Sequence, residues 1–216
     1  MKEQHKKQHK PPKMKKYLFI DMEATGLNPQ SDHIVQLSWY LTDDLGVGLY
    51  RRSFIISPDG WVVPEGAVRI HGITTEAAAR YGKPLGWVLT RLVASWNECW
   101  TVVGHNVWHD FKFINKAVRD VTGKAVTRKH LFDTAQLSTE YCQLKDSFGH
   151  LKTPSLQELN YVLFGEEFDR AHDASIDTLV CCRCFWELVD RDIITLGIQD
   201  TIFGRMQVKR YKSKHS

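Results

Sequence analysis

A chain of 216 residues is long enough for one good core and too short for two typical enzyme domains. Its 43% hydrophobic content fits a globular α/β protein. No apolar run approaches a membrane span, and no apolar segment follows the charged N-terminus to act as a signal peptide, so a cytoplasmic protein without a membrane partner is expected. Charge is uneven: residues 1–16 carry seven lysines and one glutamate, and residues 205–216 carry five basic groups and no acid, which leaves −7 on the body between them out of a total of +4. The ends are read as a disordered basic extension (1–16) and a basic tail (205–216) around a single domain at 17–204. They either attract phosphates or simply solubilise the chain.

In chain order, Tyr17-Leu18-Phe19-Ile20 opens a strand over about 17–23, apolar on both faces and therefore central in its sheet. Side chains alternate along a strand, so Asp21 and Glu23 project together at its end, opposite Leu18, Ile20 and Met22. Two such carboxylates repel each other unless a cation sits between them. Taken alone, they read more simply as the polar end of a strand running into the Thr25-Gly26 turn. His33 to Leu41 is a long β-rich run, and Tyr50 to Ile56 is its hairpin partner beyond Asp43-Asp44-Leu45-Gly46. Helical patterns follow at about 75–81 and 85–98.

Trp100 to Gly104 reads as a second buried strand, ending in His105-Asn106, with a helix beginning near Val107. On that helix Asp110, Ile114, Ala117 and Val121 fall on one face, so an acid heads an apolar stripe. That is costly unless the acid is paired or bound to a metal. An aspartate serving only the helix dipole would face outward. Leu131 to Thr134 is a last short strand leading into a helix. Residues 145–154 form a loop, either bordering a substrate groove with Lys145, His150 or Lys152 or merely a solvated connection. Ser155-x-x-Glu158 is a capping-box signature. A final helix over about 173–189 repeats the pattern, with Asp177 heading a face of Cys181, Cys184 and Leu188. His172 stands just before it, and imidazole is the side chain suited to general-base work near neutral pH.

Five cysteines (Cys99, Cys142, Cys181, Cys182 and Cys184) are an odd number without a secretory signal, which argues against a disulfide framework. Cys-Cys-Arg-Cys matches no common zinc spacing and is read as core. Four carboxylates and a histidine remain. They are the parts needed to hold two divalent cations and activate a water against a phosphodiester. All-oxygen ligation favours Mg²⁺ or Mn²⁺ over zinc.

Asp-x-Glu-x-Thr-Gly (Asp21 to Gly26), Gly-His-Asn-x-x-x-Asp (Gly104 to Asp110) and His-Asp-Ala-x-x-Asp (His172 to Asp177) resemble the three motifs of the DEDDh, or DnaQ-like, 3′–5′ exonucleases. The resemblance spans roughly residues 17 to 190, with His71-Gly72-Ile73-Thr74 and Phe132-Asp133-Thr134 as secondary landmarks. Ala24 stands where many members have Thr, and His109, after Trp108, stands where Phe is common. These departures bear on substrate positioning.

The resemblance implies a ribonuclease-H-like α/β fold, a mixed five-stranded sheet flanked by helices. It implies that Asp21 bridges two ions, that Glu23 helps hold them near the terminal 3′-hydroxyl, that Asp110 and Asp177 support one ion each, and that His172 deprotonates the water. Thr25, Gly26, Leu27, His71, Ile73, His105 and Asn106 are implied to contact substrate. The expected substrate is nucleic acid with a free 3′ end, DNA first, with RNA trimming or a silent binding role as alternatives. A DNA polymerase or sliding clamp is a weaker expectation. Gln199-Asp200-Thr201-Ile202-Phe203 loosely resembles clamp-binding peptides, or is a final turn docking Ile202 and Phe203 on the core.

Overall fold

The computed structural model describes residues 14–196. The basic segment up to residue 13, the clamp-like pentapeptide at 199–203 and the tail at 205–216 lie outside the described residues, as does the expected domain boundary at 204.

Among the described residues, five strands and seven helices follow one another as β1 (Lys16–Ala24), β2 (Ile34–Asp43), β3 (Gly48–Ile55), α1 (Glu65–His71), α2 (Thr75–Tyr81), α3 (Leu85–Glu98), β4 (Thr101–Gly104), α4 (Val107–Thr122), β5 (His130–Asp133), α5 (Thr134–Cys142), α6 (Leu156–Phe164) and α7 (Ala174–Asp190). The strands form one sheet in the order β3-β2-β1-β4-β5. β1 to β3 are an antiparallel meander, whereas β4 lies parallel to both β1 and β5. This is the mixed five-stranded, ribonuclease-H-like arrangement that the motifs imply.

β1 is central and its alternation sorts the core. Leu18, Ile20 and Met22 enter one cluster with Leu89, Leu92 and Trp96 of α3 and Ile114 and Val118 of α4. Tyr17 and Phe19 enter the other, with Leu159 and Leu163 of α6 and Cys181, Phe185 and Leu188 of α7. Helices therefore cover both faces, each fully buried large side chain contributing roughly 1.5–3 kcal/mol. Asp21 and Glu23 continue the Tyr17/Phe19 face, so they emerge on the α7 side at the strand's end. The α4 stripe departs from its reading at its last member. Ile114 is buried, but Val121 is 51% exposed, because Phe113 and Val118 take the inner face instead. The short helix α1, between Pro64 and a left-handed Gly72, had no counterpart in the sequence reading. No helix among the described residues is long and apolar enough to cross a membrane. All five cysteines are free, and four of them are buried.

Candidate active site

β4 stops at Gly104, level with Ile20 of its parallel neighbour β1, and the three acidic motifs meet just beyond. β1 supplies Asp21 and Glu23, the first turn of α4 supplies Asp110, and the first turn of α7 supplies Asp177. Asp110 and Asp177 are both buried. One ligand-capable atom from each of Glu23, His172 and Asp177 falls within 4.8 Å of the others.

The electrostatics record this crowding. Burial first, then repulsion from Asp110, Asp177, Glu23 and Asp173, lifts the Asp21 carboxyl well above the ordinary aspartate range. Burial, followed by Asp177, Asp110 and Asp173, raises Glu23 to about 8. Burial raises Asp110 strongly too, with Asp133 adding repulsion and the Met22 amide offsetting part of it. Asp177 is raised to about 6 by burial, partly offset by the His172 backbone N–H that it accepts at 2.9 Å. Its other oxygen, Oδ1, is buried and has no hydrogen-bond partner. A desolvated anionic oxygen left unpaired costs free energy unless a cation meets it. The donor set, carboxylate oxygens converging with one unpaired, fits a divalent metal.

His172 is exposed and sits at φ +68°, beside Arg170 at +60°. Both lie in the left-handed region that non-glycine residues rarely adopt. The Asp177 bond to the His172 amide and the Arg170–Asp173 ion pair (2.5 Å) hold this turn in place.

The residues expected to touch substrate divide. Leu27 is 84% exposed at the rim. Thr25 is buried in the turn scaffold: its hydroxyl accepts from the His33 amide (2.9 Å) and donates to Asp32 Oδ1 (3.3 Å). Gly26 is required because a Cβ there would meet the Asp32 carboxylate at 2.6 Å. His71 Nδ1 accepts from the Ile73 amide at 3.1 Å, which places the neutral ring's proton on Nε2. That Nε2 is buried without a partner, near Ala24 and His172. Burial lowers its pKa, offset in part by the Ala24 backbone, with His172 adding a smaller push downward. Asn106 has an exposed side chain and a left-handed backbone at φ +64°, and its amide donates to Asp133 Oδ1 at 2.9 Å.

His105 is a correction. Its ring nitrogens bond Thr134 Oγ1 (3.0 Å) and the Pro154 carbonyl (2.9 Å), and burial depresses its pKa to about 4. Both polar atoms of the ring are committed to the scaffold, so none is left for a substrate.

Three supporting residues escaped the sequence reading. Gln36 pairs with Glu23 across β1 and β2, donates to Asp173 Oδ1 (3.1 Å) and accepts from the Ala174 amide (3.1 Å). It thereby clamps the start of α7. Asp173 caps α7 through the Ser175 amide and adds negative charge around Asp21, Glu23 and Asp177. Asp133, noted only as a landmark, caps α5, crowds Asp110 and keeps a buried, unpaired Oδ2. A polar Gln inside the apolar run Ile34 to Leu37 was the available signal for the first of these. A cleft of about 600 Å³ lined by His33, Trp61, Phe113 and Lys116 includes none of the five motif residues.

A family model described as an exonuclease (RNase_T) matches residues 18–185, most of the chain. The chain belongs to this exonuclease family. Within it, the three motifs identify a DEDDh, DnaQ-like 3′–5′ exonuclease, a hydrolase of phosphodiester bonds. The epsilon subunit of DNA polymerase III from Aquifex aeolicus (strain VF5) is 29% identical over 188 residues, 85% of each chain. Escherichia coli exonuclease I in complex with a 5cy-dT13 oligonucleotide superposes with a TM-score of 0.70 at 20% identity, over 83% of this chain and 41% of that one. A product-bound exonuclease I gives 0.69 at 19% identity, over 82% and 44%. This exonuclease thus spans less than half the length of those two structures, and the likeness to them is one of fold.

Proposed function

We propose that this exonuclease removes nucleotides from the 3′ end of DNA and releases nucleoside 5′-monophosphates. The observation that carries the reading is the convergence of Asp21, Glu23, Asp110 and Asp177 on one strand end, with Asp177 Oδ1 buried and unpaired. The four carboxylates would hold two Mg²⁺ or Mn²⁺ ions, hard cations suited to all-oxygen ligation. Bound there, such ions stabilise charge on the attacking and leaving oxygens.

His172 accepts the proton of the attacking water, as an exposed imidazole within ligand reach of Glu23 and Asp177. The water oxygen forms a bond to phosphorus, the bond from phosphorus to the preceding 3′-oxygen breaks, and that oxygen takes a proton from solvent. Asp177 keeps the imidazole in place by accepting the His172 amide. Leu27 and Ile73 face the terminal nucleotide, with His71 holding the Ile73 turn through Nδ1, while Gly26 and Asn106 shape the turns beneath it. DNA is favoured because the Aquifex relative is named a DNA polymerase subunit and the exonuclease I structure carries an oligo-dT strand. Polymerase association is proposed on that first likeness alone, and a clamp contact on the pentapeptide alone.

The test uses 5′-labelled DNA and RNA strands of matched sequence, with Mg²⁺, Mn²⁺ or EDTA. A metal-dependent ladder shortening from the 3′ end, faster on DNA, is expected. A faster RNA ladder would reverse the substrate assignment, and no cleavage of either strand by folded protein would overturn the reading.

A further inference from the structure

The segment between α5 and α6 folds into a tight hairpin. Asp146 N donates to the His150 carbonyl (2.9 Å), Lys152 N to the Leu144 carbonyl (2.9 Å), and Lys145 bridges Leu151. Asp146 Oδ1 closes the tip by accepting from the Phe148 and His150 amides, each at 2.9 Å, and Gly149 turns the chain at φ +82°. This well-bonded turn holds Phe148 out with 83% of its surface exposed. Two residues beyond the hairpin, the Pro154 carbonyl bonds His105 Nε2 just past β4 (2.9 Å), which ties this segment to the catalytic edge. Three residues past His105, in the first turn of α4, Trp108 is 48% exposed. Two large rings thus project from elements joined at the strand end that carries the site. Lys145 and His150 flank the first of them, and both are exposed.

Aromatic rings with adjacent cations are the recurring means of gripping single-stranded nucleic acid, since every base has a π-face and every linkage a phosphate. A ring held rigidly in advance loses little freedom on binding. Resting on the exonuclease reading above, we propose that the 144–152 hairpin is a substrate arm on which Phe148 stacks a base upstream of the scissile nucleotide, with Trp108 at the start of α4 as a second stacking ring. The arm serves strand grip and leaves the chemistry to the carboxylate site.

Phe148→Ala and Phe148→Trp are compared with the wild-type chain in two measurements. The first is anisotropy of labelled dT10 and rU10 in EDTA, which reads grip without cleavage and compares the two sugars. The second is KM and kcat on dT10 against hydrolysis of thymidine 5′-(p-nitrophenyl phosphate), which has no upstream nucleotide. Phe148→Ala is expected to weaken dT10 binding and raise its KM roughly tenfold. Its kcat and its rate on the small ester should stay unchanged, and Phe148→Trp should restore grip. Equal loss on the small ester, unchanged dT10 binding, or failure of the wild type to bind either strand would overturn the arm. A wild type that binds through Phe148 but cuts nothing would instead overturn the exonuclease reading and leave the arm standing.

Discussion

At the scale of single residues, the carboxylates stand against their own electrostatics: burial raises Asp21, Glu23, Asp110 and Asp177 together, and repulsion from neighbouring carboxylates, Asp133 and Asp173 among them, adds to it. Asp21→Ala or Asp177→Ala is therefore expected to abolish strand shortening while leaving the metal-free melting temperature unchanged or higher, since each removes repulsion. Circular-dichroism melts in EDTA beside the labelled-strand assay check this, and near-normal turnover in either variant would remove that residue from the metal site. His172→Ala separates two roles that the geometry places close together. As a base its loss lowers kcat roughly 10²–10⁴-fold with Mn²⁺ affinity retained. Calorimetric titration showing lost Mn²⁺ binding would make His172 a ligand instead.

At the scale of elements, helix α7 is aimed by one side chain. Gln36 reaches from β2 to the Asp173 carboxylate and the Ala174 amide, joining the strand that pairs with Glu23 to the helix that carries Asp177. Gln36→Leu leaves the buried Ala174 amide without its acceptor, at a cost of about 1–3 kcal/mol. It should also lower kcat by letting the α7 N-terminus drift. Urea unfolding beside steady-state kinetics reads both effects, and a variant with wild-type stability and turnover would deny the clamp. Such a residue was hard to read from sequence because its partners lie 137 and 138 positions away. What is local was legible: α2 and α3 fall on the expected 75–81 and 85–98, and the Ser155/Glu158 capping box starts α6. The two short parallel strands were readable as short runs, Trp100 to Gly104 and Leu131 to Thr134, each leading into a helix. The α1 turn was not, having only seven residues, a glycine inside it and one buried side chain. The position of Val121 was lost for a related reason, since periodicity ranks faces but does not say where along α4 the sheet stops covering the helix. Likewise, a histidine beside a motif looks available until Thr134 and Pro154, from distant segments, take both of its nitrogens.

At the scale of the molecule, the site couples stability to pH and metal. A carboxyl whose folded pKa is raised binds a proton more tightly in the native state than in the unfolded chain. Its contribution is therefore present at low pH and lost as pH rises through the folded value. For Asp177 the loss runs from its ordinary value of 3.8 to about 6, and for Glu23 from 4.5 to about 8. In EDTA the melting temperature should consequently fall by several degrees between about pH 5 and pH 8. Divalent metal reverses the sign of the site's field by binding the ionised carboxylates, so it stabilises the native state by mass action. Magnesium should therefore raise the melting temperature more at pH 8 than at pH 5, where protons compete for the same oxygens. Glu23→Gln should flatten the upper half of the EDTA profile and shrink the magnesium effect. A profile in EDTA that rises or stays level across this range, or an equal magnesium shift at both pH values, would show that these carboxylates do not form one proton- and metal-linked site.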